Sequence, residues 1–565
     1  MAFDGIVTKA IASELQQLSG ARIDKIFQPN KNTVLLGFYL DGSNYLLHIC
    51  LDAQNYRIHL TTHSKPNPKV APNFCMVLRK HLLGLHIKNI ITNHLERLVI
   101  IDFEGFDDVD DIISKRLIIE LMGKHCNIIL LDEQNFIIDS LRHINNEDST
   151  RIIVPHVKYI YPNTNKYNFL DCLCFEDFYE KISSGTPISD VFNGISKSFI
   201  NASLQHLGIN ELTKDTLEKL YDYLKEIIYR TDSDLLQFQI IDSKKRDYFL
   251  TETDTSTPFH LNFFLDDFYY QKESSEEFKI YRNSILKMIL EHLKKYQKRL
   301  FHIDEKLRSC ENMEKYQLYG ELITANLYQI KNENLKEIAL DNYYNNQKIV
   351  IPLDDRYTPS VNAKRFFKTY HKLKNTLEVV SLQKKETLKE LDYIESIVYE
   401  LENCSTLEEV SEIFEEISEN VIFKEKTEHY QKKKKTKVKK SSLTKNKNVS
   451  FNPLKYNVND YTLLVGRNNK ENDYLTLKYA KKTDLWLHTK DIHGSHAILQ
   501  LNSGELPDTS ILVRCAEIAA YHSKAKNSSN VPVDVCEVKY VKKPNGAKPG
   551  MVIYSNQKTL YVNPK

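Results

Sequence analysis

The densest group of side chains that could do chemistry lies at residues 484–496, where three histidines and two aspartates occur close together. Imidazole and carboxylate groups bind metals, but their spacing here matches neither H-E-x-x-H nor a two-plus-two zinc arrangement. Two other interpretations stay open: a strand followed by a polar turn, and a nucleic-acid contact that uses the nearby lysine and a glycine allowing close backbone approach. The nucleic-acid interpretation predicts RNA contacts at His488, Lys490, Asp491, Ser495 and His496.

Lysines near the C-terminus form a second set of candidate contacts. The loop at 542–550 contains two prolines and two glycines, which brace its backbone and hold its lysines outward. Lysine is a point charge suited to phosphate contacts, although a solvated surface would have the same composition. The candidate RNA-binding lysines are Lys524, Lys542, Lys543 and Lys548.

Two shorter features in the first half of the chain are also typical of nucleic-acid contacts. Glu96 and Arg97 interrupt an apolar run that predicts a strand. They are either an ion pair at a sheet edge or a pair that faces a groove and binds a base or a ribose. Gly194 follows Phe192 and precedes a predicted helix. This pattern is that of a helix-hairpin-helix, which directs backbone N–H groups at a phosphate, or of an ordinary helical turn.

The sequence predicts no catalytic centre, cofactor or metal site. It contains no P-loop, no G-x-G-x-x-G, no G-x-S-x-G and no H-E-x-x-H segment. The nine cysteines include no Cys-x-x-Cys pair, so reduced thiols are expected rather than zinc or a disulfide framework.

Composition predicts a globular, multidomain protein of the cytoplasm. The 565 residues are too many for one hydrophobic core, and the 27% charged and 41% hydrophobic residues are typical of globular chains. The net charge is only +2, so nucleic-acid binding must come from local patches. No secretory signal is expected at the N-terminus, and no apolar stretch approaches the roughly 20 residues of a membrane span.

The elements that would position these residues alternate between strands and helices. Strands at 33–40 and 45–51 flank Asp41-Gly42, a hairpin signal, and a helix at 74–83 ends near Gly84. The lysine-rich run at 431–440, which continues to Lys447, predicts either a solubilising tether or an arm that binds RNA phosphates. The overall fold class is α+β and multidomain.

A long helical arm is the clearest physical signal. Apolar residues recur at alternating steps of three and four in two segments, 289–310 and 366–401. Such spacing predicts the seams of an antiparallel coiled coil. A segment with strand and turn signals, at about 316–362, separates the two helices and is expected at the tip of the arm.

The chain resembles the bacterial RqcH family, the NFACT proteins that are also called fibronectin-binding protein A-like. The resemblance covers essentially the whole chain and rests on the ordered combination of several segments. These lie at 3–5, 79–81, 120–125, 316–328, 465–469, 486–496 and 542–550. His493 departs from the family, which commonly has proline there.

The resemblance implies both an architecture and an activity. Family members bind a free large ribosomal subunit that carries obstructed peptidyl-tRNA, recruit charged tRNA, chiefly tRNA-Ala, and add a template-free alanine tail that marks the stalled chain for degradation. Ribosomal RNA and the small protein RqcP are the further partners, and the ribosome forms the peptide bonds. The implied domains are NFACT-N (1–170), helix-hairpin-helix (171–270), coiled-coil arm (271–420, with the insertion at about 316–362), basic linker (421–455) and NFACT-R (456–565).

The resemblance also implies tRNA-binding residues in the first domain. The recruiting Asp-Arg pair of the family falls on Glu96 and Arg97, and its acidic residue near the start falls on Asp4. The Glu-Ile-Met segment falls on Glu120, Leu121 and Met122, and Arg79 belongs to another shared segment.

Two other functions compete with this one. A surface adhesin that binds fibronectin is the alternative that the older family name implies. A nucleic-acid lyase is disfavoured, because Ala2 stands where related DNA glycosylases carry a catalytic proline, so the secondary amine is missing.

Overall fold

A computed structural model describes twelve stretches of the chain: 3–106, 111–145, 151–163, 165–182, 185–232, 236–241, 247–252, 260–330, 335–420, 423, 451–501 and 507–565. Ala2 and the lysine-rich run at 431–447 lie outside them. The chain divides into two compact units, Met1–Ser274 and Ser275–Lys565. Both helices and strands are present, which confirms the predicted mixed fold class. The predicted domain boundaries remain predictions.

The first unit contains a nine-stranded sheet in which every neighbouring pair is antiparallel. Its strands are β1 (Arg22–Asn30), β2 (Thr33–Leu40), β3 (Ser43–Cys50), β4 (Arg57–Leu60), β5 (His86–Thr92), β6 (Leu98–Phe106), β7 (Ile112–Glu120), β8 (Asn127–Leu131) and β9 (Ile137–Ser140). The strand order is β4-β3-β2-β1-β5-β6-β7-β8-β9. Helices α1 (Gly5–Leu15) and α2 (Asn73–Leu82) pack on this sheet.

Local sequence explains two turns of this sheet. Asp41 and Gly42 connect β2 to β3 with φ values of 47° and 81°, which confirms the predicted Asp-Gly hairpin. Gly84 follows α2 with a φ of 87°, a conformation that glycine adopts without steric cost.

A helical segment follows the sheet and shares its apolar core. It comprises α3 (Phe175–Ile182), α4 (Ile188–Val191), α5 (Lys197–His206) and α6 (Lys214–Arg230), followed by the hairpin of β10 (Leu236–Ile241) and β11 (Asp247–Glu252). Helix α7 (Leu261–Cys310) then contains the division between the two units.

The second unit begins with a pair of long antiparallel helices. Its elements are the remainder of α7, α8 (Met313–Ala325), β12 (Glu337–Asn342), β13 (Gln347–Pro352), α9 (Pro359–Asn403) and α10 (Leu407–Glu419). Ile285 and Ile289, midway along α7, share a core with Ile394 and Ile397 near the end of α9. Helix α8 continues into the predicted insertion, and the hairpin of β12 and β13 occupies its centre.

The C-terminal part of this unit is a six-stranded antiparallel sheet covered by a helix. Its elements are β14 (Leu454–Val458), β15 (Tyr461–Val465), α11 (Asn469–Tyr474), a π-helical turn (Leu475–Tyr479), β16 (Leu485–Thr489), β17 (Ala497–Gln500), α12 (Thr509–Tyr521), β18 (Val531–Glu537), β19 (Val541–Lys542), β20 (Ile553–Tyr554) and β21 (Lys558–Val562). The sheet order is β14-β15-β17-β16-β18-β21, and α12 shares its apolar core. Across the described stretches, no helix is long and apolar enough to cross a membrane.

Candidate nucleic-acid interface

A pocket of about 330 Å³ in the first unit brings together three of the predicted contact residues. Asp4, Arg97 and Gly194 line it, although they come from three distant parts of the sequence. The pocket also contains Lys166 and Lys197, so cationic and anionic groups both reach it. The sequence analysis therefore selected residues that the fold places in one location.

Asp4 connects two of the segments that line this pocket. Its buried carboxylate caps α1 by accepting a hydrogen bond from the Val7 N–H (3.1 Å). It also accepts a 2.7 Å hydrogen bond from the hydroxyl of Ser196, the N-cap of α5. Burial raises the pKa of Asp4 to about 6. Asp4 therefore joins two helix N-termini, and its carboxylate is not free at the surface.

Gly194 is required by close backbone packing. Its φ is 75°, and its carbonyl accepts a 2.8 Å hydrogen bond from the Gly5 N–H. A Cβ on Gly194 would lie 1.8 Å from the Leu95 carbonyl oxygen, so any larger residue would force the backbones apart. The structure thus gives Gly194 a packing role, and its predicted RNA contact stays a prediction.

Glu96 and Arg97 lie in the turn before β6, and not inside the strand as predicted. The turn forms because His94 has a φ of 53° and the Glu96 N–H donates to the Asn93 carbonyl. Both side chains are half-buried. Arg97 Nη1 donates a 3.3 Å hydrogen bond to the Tyr56 hydroxyl, and Glu96 accepts one of 3.1 Å from Asn93. The turn leaves part of each charged group accessible.

Glu120 and Leu121 lie beneath this turn rather than at the surface. The buried Glu120 carboxylate accepts hydrogen bonds from Arg151 (2.6 Å) and the Tyr159 hydroxyl (2.8 Å). Leu121 is fully buried, and its N–H donates to the Arg97 carbonyl (2.8 Å). The Leu121 N–H therefore supports the backbone of Arg97, and neither buried side chain is exposed to a ligand.

Met122 and Arg79, the other two candidates of the first unit, are half-buried. Arg79 donates through both Nε and Nη2 to the Ile26 carbonyl, at 2.9 and 2.7 Å. Its guanidinium is thereby tied to β1. The tRNA contacts predicted for Met122 and Arg79 remain predictions.

In the second unit, the three histidines of the 484–496 segment differ in exposure: His496 is buried, whereas His488 and His493 are half-buried. His488 donates from Nε2 to the Gly494 carbonyl (3.3 Å), and Nδ1 of His496 lies 2.8 Å from the Thr476 hydroxyl. Burial lowers the pKa of His488 to about 4 and that of His496 to about 3, so both rings are neutral at pH 7. They are not cationic phosphate ligands. Instead they fix the loops around them.

The other residues of this segment differ in exposure. Lys490 and Asp491 are exposed, whereas Ser495 is half-buried and its N–H donates to the His522 carbonyl (2.9 Å). His493, the departure from the family pattern, lies 3.5 Å from Asp392 and 3.4 Å from Glu395 of α9. Within the described residues, no group of three or more potential ligands is placed to hold a metal ion.

Acidic residues neutralise most of the predicted RNA-binding lysines. Lys524 lies 3.8 Å from Glu395, and Lys548 lies 3.5 Å from Glu390. Lys543 forms an ion pair with Asp473. Lys542 is exposed, and no ion pair joins it to a carboxylate in the part of the chain that the structure describes. Lys542 is therefore the member of this set whose charge is fully available.

The sequence analysis missed an acidic stripe on α10 that contacts the C-terminal sheet domain. Four successive residues, Arg467 to Lys470, each contact one acid of the stripe. The pairs are Arg467 with Glu409 (3.3 Å), Asn468 with Glu412 (2.9 Å), Asn469 with Glu416 (3.4 Å) and Lys470 with Glu419 (2.7 Å). These acids recur every three or four positions in the sequence, a spacing that predicts one face of a helix and could have revealed the stripe. A cleft of about 1010 Å³ lies beside this contact.

Comparison with known families accounts for nearly the whole chain. Residues 4–437 match the NFACT N-terminal and middle domains. Residues 447–556 match the NFACT protein RNA binding domain.

Individual relatives extend over the full length. The chain is 34% identical to the "Rqc2 homolog RqcH" of Bacillus subtilis, covering 100% of this chain and 98% of that protein. It is also 34% identical to the RqcH of Streptococcus suis, with the same two coverages. A solved structure, the C-terminal part of the fibronectin/fibrinogen-binding protein of Streptococcus suis, is 32% identical over 51% of this chain and 96% of that one, with a TM-score of 0.38. On the family matches and the full-length relatives, the chain belongs to the NFACT family, as a homologue of the RqcH proteins.

Proposed function

We propose that this protein is a ribosome quality control factor. It binds large ribosomal subunits that carry obstructed peptidyl-tRNA and recruits charged tRNA, chiefly tRNA-Ala. The stalled nascent chain then receives a template-free C-terminal alanine tail that marks it for degradation. The protein acts in the cytoplasm, and its other partners are ribosomal RNA and RqcP.

The full-length similarity to RqcH proteins carries this proposal. The geometry of the first unit supports the tRNA-recruiting part. Arg97 is half-buried beside a pocket, and Tyr56, the Leu121 N–H and the Asp4–Ser196 pair define its surroundings. A guanidinium held in place by neutral partners keeps donors for a phosphate or a base edge.

The protein acts without a catalytic centre of its own. The ribosome's peptidyl-transferase centre forms the bonds, and the protein contributes binding and positioning. The neutral state of half-buried His488 and buried His496 supports this division, because both rings already contact neighbouring segments.

The test is a tailing assay on a stalled reporter in cells that carry Glu96→Ala with Arg97→Ala. Tails should be lost, while co-sedimentation with large subunits is mostly retained. The matched control is Arg22→Ala with Asp24→Ala, which removes an exposed ion pair of the same unit (2.9 Å) and should leave tails intact. Normal tails in the Glu96/Arg97 variant, or a pool of protein at the cell surface in place of the ribosomal fractions, would contradict the proposal.

A further inference from the structure

An exposed group of rings and lysines surrounds the π-helical turn of the C-terminal domain. We call it the aromatic–lysine patch. Its members are Phe451, Tyr474, Lys478, Tyr479, Lys481 and Lys482. None of them was selected by the sequence analysis, and none belongs to the interfaces described above.

Three rings form the centre of the patch. The Phe451 ring centroid lies 4.9 Å from that of Tyr474 and 4.7 Å from that of Tyr479. Phe451 is half-buried, whereas Tyr474 is 37% and Tyr479 is 46% exposed. The phenylalanine therefore anchors two tyrosines that stay partly exposed and can meet a planar ligand.

The lysines of the patch carry charge that the protein does not neutralise. Lys478, Lys481 and Lys482 are exposed, and none of them pairs with a carboxylate of the described stretches. The Lys478 ammonium lies 5.7 Å from the Tyr474 ring centroid. Lys524, Lys543 and Lys548, by contrast, all lie against acids. Uncompensated charge and exposed rings thus coincide at this turn.

Buried contacts fix the turn that presents these side chains. The Thr476 hydroxyl lies 2.8 Å from Nδ1 of buried His496. The Asn472 side chain accepts a 3.1 Å hydrogen bond from the His496 N–H. Tyr474 and Tyr479 lie at either end of this anchored segment. A rigid backbone reduces the entropy lost when a ligand stacks on the rings.

We propose that the aromatic–lysine patch binds unpaired RNA, with bases stacked on Tyr474 and Tyr479 and phosphates beside Lys478, Lys481 and Lys482. Alternating rings and cations match the two repeating parts of a single strand, the base and the phosphate. A duplex hides its base faces, so it would meet only the lysines. The inference rests on the proposed RNA-binding role of this domain, and not on tRNA recruitment by the first unit.

The first test measures binding of the full chain to a labelled oligouridine of about twenty nucleotides. Tyr474→Ala with Tyr479→Ala should weaken binding roughly tenfold or more, while Tyr474→Phe with Tyr479→Phe should bind like the unaltered chain. Tyr521→Ala with Tyr561→Ala is the matched control, because these tyrosines of the same domain are 51% and 66% exposed. Circular dichroism checks that each variant is folded.

The second test measures how affinity varies with salt. Lys481→Gln with Lys482→Gln should reduce the log–log slope by about 1.4, the value expected for two contacts on a single strand. Lys455→Gln with Lys558→Gln, which alters two other exposed lysines of the domain, should leave the slope unchanged.

The outcomes separate this inference from the proposed function. Loss of oligouridine binding in the alanine variant, with hairpin RNA bound as before, supports the patch. Unchanged oligouridine binding in a folded alanine variant overturns it and leaves RNA binding by the domain intact. Equal weakening toward oligouridine and hairpin RNA also overturns it, because stacking would not be the cause. If the unaltered chain binds neither RNA, the RNA-binding role itself fails.

Discussion

The Ser196 hydroxyl donates a 2.7 Å hydrogen bond to the Asp4 carboxylate across 192 positions of sequence. The same carboxylate caps α1, and Ser196 caps α5 through the Phe199 N–H. The N-terminal helix and the turn that contains Gly194 are therefore fixed to each other beside Arg97. The geometry of the candidate tRNA-binding pocket depends on this pair.

Asp4 should make the stability of α1 depend on pH. Burial raises its pKa in the folded chain to about 6, from an ordinary value of 3.8. Between these values the folded chain binds more protons than the unfolded chain, so stability falls as pH rises through this window, by up to about 3 kcal/mol. Asp4→Asn keeps an oxygen acceptor for the Val7 N–H, places an amide NH2 donor beside the Ser196 hydroxyl, and does not titrate. The difference in stability between the Asp4→Asn variant and the unaltered chain, in favour of the variant, should therefore grow between pH 4 and pH 7.

Hydrogen exchange of peptides that cover α1 measures this effect in the full chain. Comparing the two proteins at the same pH cancels the intrinsic pH dependence of exchange. A difference in protection that is the same at pH 4 and pH 7 would show that the Asp4 carboxyl does not titrate in this range.

Local features of the fold followed from the sequence, and long-range partners did not. Asp41-Gly42 predicts its hairpin because two adjacent residues adopt positive φ. The pairing of Lys543 with Asp473 joins positions 70 apart. No local rule predicts such a pair, so the charge of Lys543 could not be recognised as neutralised.

In the candidate sites, too, local features could be predicted from the sequence and long-range contacts could not. The sequence selected Asp4 and Arg97 through a family resemblance and Gly194 through a turn motif, and it did not predict that the fold brings them together. His488 follows Trp486 by two positions on β16, and the alternation of side chains along a strand predicts that both lie on the same face of the sheet. The two rings do stack there, with 5.5 Å between their centroids. The partial burial of His488 depends on how the sheet packs, which the sequence does not specify by itself.

Tyr56 should act as a positioning residue for Arg97. Its hydroxyl accepts the hydrogen bond from Arg97 Nη1, so Tyr56→Phe removes that bond with little change in shape. We expect weaker tRNA recruitment, by about tenfold, because a hydrogen bond from a charged donor contributes about 1.5 kcal/mol. Titration with charged tRNA measures the change. Adding Tyr56→Phe to the Arg97→Ala variant should cause no further loss of tRNA affinity. An additive loss would mean that Tyr56 acts independently of Arg97.

The lysines at 542–548 should contribute unequally to RNA binding. Lys542→Gln should lower the log–log salt slope by about 0.7 to 0.9, since it removes one available charge. Lys543→Gln and Lys548→Gln should leave the slope nearly unchanged, because Asp473 and Glu390 already neutralise these lysines. Equal flattening by all three single variants would show that the ion pairs open when RNA binds.

The helical arm should be needed for subunit binding. Leu391 is 7% exposed and Ile394 is fully buried in the core that α9 shares with α7. Replacing both with Asp places charges in an apolar contact and should separate the helices. Leu382→Asp with Leu388→Asp is the matched control, since these leucines of α9 are 60% and 45% exposed. Circular dichroism measures the arm, and gradient sedimentation measures binding. Full subunit binding by a chain with a melted arm would exclude the arm as an anchor.

Sequencing the tRNA that co-purifies with the protein tests tRNA recruitment most directly. The unaltered chain and the Arg97→Ala variant are isolated from cells with stalled ribosomes, and bound tRNA is counted against large-subunit RNA. We expect tRNA-Ala to be enriched on the unaltered chain and lost from the variant, while the large-subunit RNA stays with both. A tRNA population without enrichment, or the same enrichment on the Arg97→Ala variant, would contradict the account.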